Sequence, residues 1–228
     1  MKEQKHIKSM FDKIVKRYDF LNHVLSFGQD IFWRKKMAEK AVLNQNDIIL
    51  DLATGTADSA VALIKKGAKV IGLDISFEML KAGALKIKNQ FNSSALFYPM
   101  NASGYQIPLK DNSVDAVTCA FGIRNMHETK RALLEIYRVI KKEGRIVILE
   151  FSLPQNILQK PYLLYLKKVI PIIASVFSVK SAYEYLGSSI EGFYKPLDFT
   201  NLLYDCGFKN IKAIPLSFGC VYLYVGIK

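Results

Sequence analysis

The sequence predicts an α/β fold of the Rossmann-like type: a mostly parallel seven-stranded sheet with an antiparallel C-terminal edge, an N-terminal helical cap and a late helical insertion. The 228 residues suffice for one elaborated domain, and half of them are apolar while 23% are charged, as in globular proteins. Short apolar runs alternate with helical stretches in the middle of the chain, which is typical of parallel βαβ units. Two neighbouring apolar runs at the end of the chain predict a final antiparallel hairpin.

The N-terminal cap, residues 1–45, is predicted from two helical stretches. The first carries apolar residues at the spacing of one helix face, and the second is expected over about Ile31–Ala41. The apolar face of the first stretch consists of Ile7, Met10, Phe11, Ile14, Val15 and Tyr18.

The cofactor-binding core, residues 46–152, is expected to alternate five buried strands with three helices. The strands are expected at the short apolar runs 47–53, 69–75, 95–100, 113–121 and 145–151. Helical periodicity predicts helices at Ser59–Lys66, Phe77–Asn89 and His127–Ile140. Strands that are joined through helices are expected to lie parallel, with right-handed crossovers.

The last third of the chain departs from this alternation. Residues 153–192 are interpreted as a helical insertion, because Ile157–Val179 is dense in apolar residues. Pro171 is expected to break this segment into two pieces, since proline interrupts helical hydrogen bonding. Residues 193–228 are expected to form a C-terminal helix and the strand hairpin.

The net charge of +12 favours an anionic partner, either nucleic acid or an acidic membrane face. A solvated, lysine-rich surface explains the same charge. Lys160, Lys167 and Lys168 lie close to one face of the late apolar segment if it is helical. This pattern fits a surface that rests on anionic lipid, and it fits a pair of core helices as well.

Cysteine content and hydropathy indicate neither export nor insertion into a bilayer. The three cysteines are far apart and form no Cys/His metal pattern, so we expect a reduced cytoplasmic compartment and no metal. The opening residues lack the apolar stretch of a signal peptide, and the uncharged run Val169–Val179 is too short to span a membrane.

A ligand-binding turn is predicted where the first strand ends, at Asp51. Small residues around Gly55 let the backbone approach a ligand closely and leave the N–H groups of the next helix free. Asp74 ends the second strand 23 residues after Asp51, where a carboxylate accepts both hydroxyls of a ribose. One glycine does not make a NAD-binding turn, and the acidic Asp51 suits a cationic ligand such as S-adenosylmethionine, directly or by way of backbone and water. The alternative is an ordinary turn in which Asp58 caps the helix.

Asn101 and Ala102 follow the third strand. A side-chain amide together with a backbone N–H at a strand end can read an adenine edge. Asn101 alone is more typical of a loop residue.

Beyond these motifs, the chain resembles the ubiquinone/menaquinone biosynthesis C-methyltransferases over nearly its whole length. The most specific matches are YDFLN before SFG, and FGIRN after the fourth strand. The matching segments are FDKIVKRYDFLNHVLSFGQDIFWRKK (11–36), ILDLATGTADSA (49–60), LDISFEMLK (73–81), AFGIRNMHETKRALLEIYRVIKKEGRIVILEFS (120–152) and YEYLGSSI (183–190). The resemblance implies a class I methyltransferase that moves the methyl group of S-adenosylmethionine to a ring carbon of a polyprenylated quinol. Demethylmenaquinol is the expected acceptor, and the benzoquinol of the ubiquinone pathway is the alternative.

Through this resemblance the cofactor contacts are assigned to Thr56 in the loop, Asp74 at the ribose and Asn101-Ala102 beside the adenine. The sequence departs from the family at three positions: Ala57 stands where glycine is usual, Ala120 where many members have serine, and His23 where aspartate is common. Ala57 is expected to place a Cβ beside the ligand path and to weaken binding if this position requires a positive φ.

Arg124 is assigned the main catalytic role. It follows the fourth strand, where the acceptor pocket is expected, and its permanent charge would stabilise a phenolate and orient a water that takes the proton. Asn125 is expected to hold a quinol oxygen, and Tyr18 and Asn22 to form pocket walls. The alternative for Arg124 is a structural ion pair, and for Tyr18 a place in the apolar helix face. His23 is interpreted as a surface or capping residue rather than a base.

The expected partners follow from a lipid acceptor. We expect a cytoplasmic protein that rests transiently on the inner face of an anionic membrane, and a homodimer is compatible with the sequence. No nucleic-acid partner is expected, because Phe121–Asn125 occupies the place of the Asn/Asp-Pro-Pro-aromatic motif of amino-directed base methylases. Two alternatives stay open: an RNA or other small-molecule methyltransferase, favoured by the charge, and a non-catalytic scaffold whose cofactor loop is impaired by Ala57.

Overall fold

The computed structural model describes residues 9, 12, 15, 18–92, 96–155, 157–172 and 180–228. Its strands are β1 (Ile48–Leu52), β2 (Lys69–Asp74), β3 (Phe97–Asn101), β4 (Val114–Ala120), β5 (Ile140–Phe151), β6 (Lys209–Leu216) and β7 (Val221–Ile227). They form a seven-stranded sheet in the order β3-β2-β1-β4-β5-β7-β6. The first five strands pair in parallel and β7 pairs antiparallel with both β5 and β6, which confirms the predicted sheet and its edge.

The strand order reverses direction at the centre of the sheet. β2 and β3 follow β1 on one side, and β4 and β5 continue on the other, so the crevice between the carboxyl ends of β1 and β4 is a topological switch point. Both strands are buried on both faces, which is why their sequences read as continuous apolar runs. Ligands of open α/β sheets bind in such a crevice.

The helices lie between the strands as the sequence predicts. They are α1 (Gln29–Ala41), α2 (Asp58–Lys65), α3 (Phe77–Phe91), α4 (Thr129–Val139), α5 (Gln159–Leu164), α6 (Lys180–Glu191) and α7 (Pro196–Asp205), and residues 18–25 are helical as well. The side chain of Ser76 caps α3 by accepting a hydrogen bond from the N–H of Met79. Of the apolar face predicted for the first stretch, Ile7, Met10, Phe11 and Ile14 lie outside the described residues.

Three apolar clusters hold these layers together. One lies on the side of the sheet that α4 and α7 cover, and a second lies under α1, α2 and α3 on the other side. The third, here called the roof cluster, joins residues 18–25 to α3, to the insertion and to α6; it consists of Leu21, Leu25, Met79, Leu166, Ile170 and Ile190. The roof cluster therefore fixes the cap and the insertion above the carboxyl ends of the strands.

The helical insertion is helical at Pro171 itself, because residues 170–172 are helical. The expected break after this proline falls on residues 173–179, which lie outside the described residues. An irregularity comes earlier, as a π-helical turn at Tyr165–Val169 in which the N–H of Ile170 donates to the carbonyl of Tyr165. A π turn widens the backbone just where the proline ring would otherwise meet the preceding turn. None of the helices in the described ranges is both long and apolar enough to cross a membrane.

Candidate active site

A cleft of about 770 Å³, its open mouth included, lies at the topological switch point between β1 and β4. The ends of β1, β2 and β4 form its floor, and the cap closes one side through Tyr18. We call it the strand-end cleft. Its lining includes Gly55, Asp74, Ile75, Tyr105, Ala120 and Asn125.

Asp74 presents its carboxylate to this cleft and is fixed there by the backbone. Its Oδ2 accepts a hydrogen bond from the N–H of Gly55 at 2.9 Å, and its Oδ1 accepts one from the N–H of Ser76 at 2.9 Å. Burial raises the pKa of Asp74, while these backbone donors lower it. A carboxylate oxygen accepts more than one hydrogen bond, so Asp74 can also accept from the hydroxyls of a ribose in the cleft.

The loop after β1 requires left-handed backbone at two positions. Gly55 has a φ of 55° and Ala57 a φ of 69°, so Ala57 does occupy a conformation that favours glycine. The expectation that its Cβ lies beside the ligand path is wrong. Ala57 is fully buried in the cluster under α2, and it does not line the cleft. The departure from glycine therefore affects backbone strain rather than the space for the ligand.

Asp51 and Thr56 lie beneath the cleft rather than in its wall. Asp51 is 1% exposed, and its two oxygens accept hydrogen bonds from the hydroxyls of Thr54 at 2.6 Å and Thr118 at 2.7 Å. Burial raises the pKa of Asp51 to about 6, although these hydrogen bonds lower it. The hydroxyl of Thr56 donates to the carboxylate of Asp19 in the cap. Any effect of Asp51 on a ligand is therefore electrostatic and indirect.

The raised pKa of Asp51 predicts a pH-dependent affinity for a cationic ligand. A cation above β1 stabilises the ionised carboxylate, so S-adenosylmethionine binding should release a proton below about pH 6 and tighten by up to about tenfold per pH unit there. Calorimetry between pH 5 and 7.5, in two buffers of different ionisation enthalpy, measures both quantities. Asp51→Asn should remove most of this dependence, while its amide oxygen keeps one of the two hydrogen bonds as acceptor and its NH2 group donates to the other threonine hydroxyl. An unchanged slope in this variant would contradict the assignment.

Asn101 and Ala102 lie at the end of β3 but do not line the strand-end cleft. The side-chain amide of Asn101 donates to the carbonyl of Asp74 at 2.9 Å, and the N–H of Ala102 donates to the same carbonyl at 3.2 Å. Both donors thus support the position of Asp74. Their direct contact with an adenine stays a prediction.

An ionic bridge that the sequence did not indicate ties the cap to the cofactor loop. The Nζ of Lys86 on α3 lies 2.6 Å from the carboxylates of both Asp19 and Asp58. Asp58 is therefore an ion-pair residue, and the interpretation of it as a helix cap is wrong: Ala57 precedes α2 without a side-chain cap. Only the tertiary fold brings these residues together, since Asp19 and Lys86 are 67 positions apart.

A second, larger cavity of about 1470 Å³ adjoins the strand-end cleft. We call it the apolar cavity, because aromatic and aliphatic side chains from the cap, the insertion, α6 and the β6–β7 connection form most of its wall. Tyr18 and Phe121 line both spaces, so they mark the junction. Phe121 has a φ of 58°, a strained conformation for a bulky residue and one that is found mainly at functional sites.

Arg124 lines the apolar cavity, and it is also held in an ion pair. Its Nη1 lies 2.9 Å from the Oε1 of Glu150, whose side chain is fully buried, and the same nitrogen donates to the carbonyl of Phe121. The Nε donates to the hydroxyl of Ser189 at 3.3 Å. Burial raises the pKa of Glu150, and Arg124 lowers it. Arg124 therefore has both of the features that were considered as alternatives: it lines the pocket and it forms a structural ion pair.

The other predicted acceptor residues surround the junction. Tyr18 and Asn22 line the apolar cavity, as predicted, whereas Asn125 lines the strand-end cleft and accepts a hydrogen bond from the hydroxyl of Tyr185 at 3.1 Å. The Nδ1 of His23 lies 2.8 Å from the Oδ2 of Asp30, so His23 belongs to a partly buried ion network. That Asn125 holds a quinol oxygen stays a prediction.

Comparison with known proteins agrees with this geometry. A model of the ubiE/COQ5 methyltransferase family matches residues 1–228, the full chain. The ubiquinone/menaquinone biosynthesis C-methyltransferase UbiE of Geotalea daltonii is 41% identical over 226 residues, which cover 97% of this chain and 96% of that protein. The demethylmenaquinone methyltransferase of Chlorobaculum tepidum is 38% identical over 235 residues, which cover 100% of this chain and 94% of that protein.

Solved structures share the fold at low sequence identity. An S-adenosylmethionine-dependent methyltransferase of Thermotoga maritima superposes with a TM-score of 0.69 at 18% identity, covering 96% of this chain and 99% of that one. A second one, from Methanococcus maripaludis, superposes with a TM-score of 0.67 at 16% identity, covering 97% of this chain and 93% of that one. The chain is thus an S-adenosylmethionine-dependent methyltransferase, and it belongs to the ubiE/COQ5 methyltransferase family.

Proposed function

We propose that this enzyme transfers the methyl group of S-adenosylmethionine to a ring carbon of a polyprenylated quinol, with demethylmenaquinol as the acceptor. The observation that carries the proposal is the junction at Tyr18 and Phe121. There the strand-end cleft, which fits the donor through Asp74, adjoins the apolar cavity, whose volume with its open mouth, about 1470 Å³, accommodates a substituted ring and the start of its tail. The names of the relatives from Geotalea and Chlorobaculum support the same reaction.

The donor supplies an already activated methyl group on a sulfonium sulfur, and the chain's own residues prepare the acceptor. Carbon methylation requires electron density on the ring, which loss of the phenolic proton to a water molecule provides. The ring carbon takes the methyl group as its bond to the sulfonium sulfur breaks, S-adenosylhomocysteine leaves, and the same carbon then loses its hydrogen as a proton to restore the aromatic ring. The guanidinium of Arg124 stabilises the resulting oxyanion at the wall of a largely apolar cavity, where such a charge has a larger effect than in bulk water. Glu150 and the carbonyl of Phe121 fix the guanidinium in advance. Tyr18 and Phe121 orient the ring at the junction of the two spaces. Asn125 lies on the other side of this junction, in the strand-end cleft that binds the donor.

A direct assay tests this function. The enzyme is incubated with S-adenosylmethionine that carries a deuterated methyl group and with a demethylmenaquinol of short prenyl chain. We expect a product with one labelled methyl group on carbon, identified by mass spectrometry and by its NMR spectrum. The same assay with a demethylated benzoquinol decides between the two ring classes. A parallel incubation contains RNA in place of the quinol. Label on the RNA, with none on the quinol, would support the alternative of an RNA methyltransferase. Absence of S-adenosylmethionine binding in calorimetry would support a non-catalytic scaffold.

We further propose that the apolar cavity opens toward an anionic membrane. Phe27 and Phe218 line this cavity, and yet their side chains are about 80% exposed. Ile157, at the start of the insertion, is 92% exposed, and the exposed Lys160 and Lys168 follow it. Apolar side chains beside lysines are typical of a surface that rests in the lipid headgroup region. The sequence is also compatible with a homodimer, and light scattering would measure this oligomeric state.

Charge removal near this opening should weaken binding to anionic vesicles. Lys160→Gln/Lys168→Gln is expected to cost about 1 kcal/mol per residue, because each lysine is exposed and attracted to the lipid surface. Lys167 is left in place, since its Nζ lies 2.8 Å from Glu191 and its charge is already offset. Sedimentation with vesicles that contain anionic lipid measures the change, and high salt should mimic it.

The matched control removes two exposed lysines elsewhere. Lys110→Gln/Lys142→Gln makes the same change in net charge at positions outside the insertion. Equal losses in both double variants would mean that net charge, rather than this surface, attracts the protein to lipid. A wild type that ignores anionic vesicles would refute the membrane proposal and leave the methyl-transfer proposal untouched.

A further inference from the structure

Arg34 is a second guanidinium in the wall of the apolar cavity, and the reaction described above gives it no task. It lies on α1, is 7% exposed and lines the cavity. Its Nη1 donates to the Oδ2 of Asp30 at 2.9 Å and to the carbonyl of the same residue at 3.4 Å. Its Nε is buried and has no hydrogen-bond partner within the described ranges. The Nη2 group therefore remains to donate to whatever enters the cavity.

The carboxylate of Asp30 holds Arg34 in place and is itself held by other groups. Asp30 is 3% exposed, and its Oδ1 accepts a hydrogen bond from the hydroxyl of Ser26 at 2.8 Å. The Nδ1 of His23 lies 2.8 Å from the Oδ2. With three side-chain partners around one buried carboxylate, the ion pair is rigid, and the free side of the guanidinium is preorganised.

Arg34 and Arg124 occupy different places in one aromatic wall. The Cζ of Arg34 lies 5.3 Å from the ring centroid of Phe121, and the Cζ of Arg124 lies 5.4 Å from that of Phe151. The centroids of these two rings are 4.4 Å apart, and the ring planes are inclined at 30° to each other. Burial raises the pKa of Tyr18 at the junction, and Arg34 and then Arg124 lower it, so both charges act on the point where the two spaces meet.

We propose that Arg34 binds the second ring oxygen of the acceptor, and that the enzyme thereby selects rings that carry two oxygens. The proposal rests on the proposed function, in which Arg124 stabilises the first oxygen. A ring with one oxygen would leave the Nη2 donor without an acceptor in a largely apolar cavity, and a site that is built to hydrogen-bond an oxygen discriminates against a ligand that lacks it. Arg34 is then a specificity residue for the acceptor.

Binding measurements test this role without turnover. We expect the wild type to bind 1,4-naphthoquinol about 10- to 100-fold more tightly than 1-naphthol, the range for a hydrogen bond to a charged group. Arg34→Met, which keeps the apolar length of the side chain, should lose this preference by weakening quinol binding alone. Anaerobic calorimetry measures both affinities. Quenching of Trp33, the single tryptophan and a residue of the cavity wall, shows that the quinol binds there.

Two further variants keep the result interpretable. Arg34→Met/Asp30→Asn removes both charges of the pair and serves if the single variant does not fold. Arg145→Met is the matched control, because Arg145 lies in the middle of β5 and donates to the carbonyl of Lys40, and it lines neither cavity. Equal weakening for both ligands, or unchanged affinities in a folded variant, would overturn the proposal. A wild type that fails to bind the quinol at all would instead refute the proposed function.

Discussion

Loss of Arg124 is expected to lower turnover on a demethylated quinol by about 10²–10³, the range for removal of one preorganised electrostatic donor. The guanidinium lines the apolar cavity, where the proposed reaction develops charge on the acceptor oxygen. Affinity for S-adenosylmethionine should change little, because Arg124 does not line the strand-end cleft. Arg124→Lys should recover only part of the rate, since a single ammonium nitrogen cannot replace the Nη1 that contacts Glu150 and Phe121 together with the Nε that donates to Ser189.

The ion pair with Glu150 complicates the single variant, and it also suggests the control. Removing one partner of a buried pair leaves the other charge uncompensated, at a cost of about 3–5 kcal/mol of stability. Arg124→Gln/Glu150→Gln removes both charges, so it should recover most of the stability and none of the turnover. Glu150→Gln alone keeps the guanidinium and should keep most of the rate. Full turnover by a folded double variant would show that Arg124 is purely structural.

The fold was predictable because its signals are local. β1 and β4 are buried on both faces and appear as apolar runs, and α4 places Ala132, Leu133 and Ile136 on one buried face. β5 begins at Ile140, five residues before the predicted start, because Ile140 pairs with Val114. The residues that follow Ile140 are charged, and Glu143 has a φ of 60°, so the sequence of this part does not predict a strand.

The candidate site was predictable where a strand end decides it. Asp74 and Gly55 line the cleft because the carboxyl ends of parallel strands meet at one edge of the sheet. Thr56 was assigned to the ligand, but its hydroxyl donates to Asp19, a contact set by how the cap packs. Sequence periodicity carries no information on such a distant partner.

The charged wall of the apolar cavity shows the same limit. Asp30 and Arg34 on α1 have the spacing of an ordinary exposed i,i+4 ion pair, yet both are more than 90% buried. Asp30 contacts His23 and Ser26, and Arg34 lies over the ring of Phe121. The insertion and the β6–β7 connection, which lie more than a hundred residues away, complete the wall of the cavity. The role proposed for Arg34 at the acceptor therefore depends on tertiary structure.

Replacing Asp74 should have the largest effect on donor binding. Asp74→Ala removes the carboxylate at the end of β2 that fits two ribose hydroxyls, and two charge-assisted hydrogen bonds are worth roughly 2–4 kcal/mol after exchange with solvent. We therefore expect an affinity for S-adenosylmethionine about 30- to 1,000-fold lower, measured by calorimetry at pH 7.5. At this pH the raised pKa of Asp74 matters least, because ionisation of a carboxyl increases as the pH rises.

The carboxylate of Asp74 also fastens the backbone of Gly55 and Ser76, so the control must reproduce that task outside the site. Asp47 does so: its Oδ2 accepts hydrogen bonds from the N–H groups of Leu43 and Asn44, each at 2.9 Å, in an exposed turn before β1. Asp47→Ala should lower the melting temperature slightly and leave donor affinity unchanged. If Asp74→Ala is folded and binds the donor as tightly as Asp47→Ala does, the ribose assignment is wrong. If its affinity falls while its melting temperature matches that of the control, the carboxylate binds the donor directly.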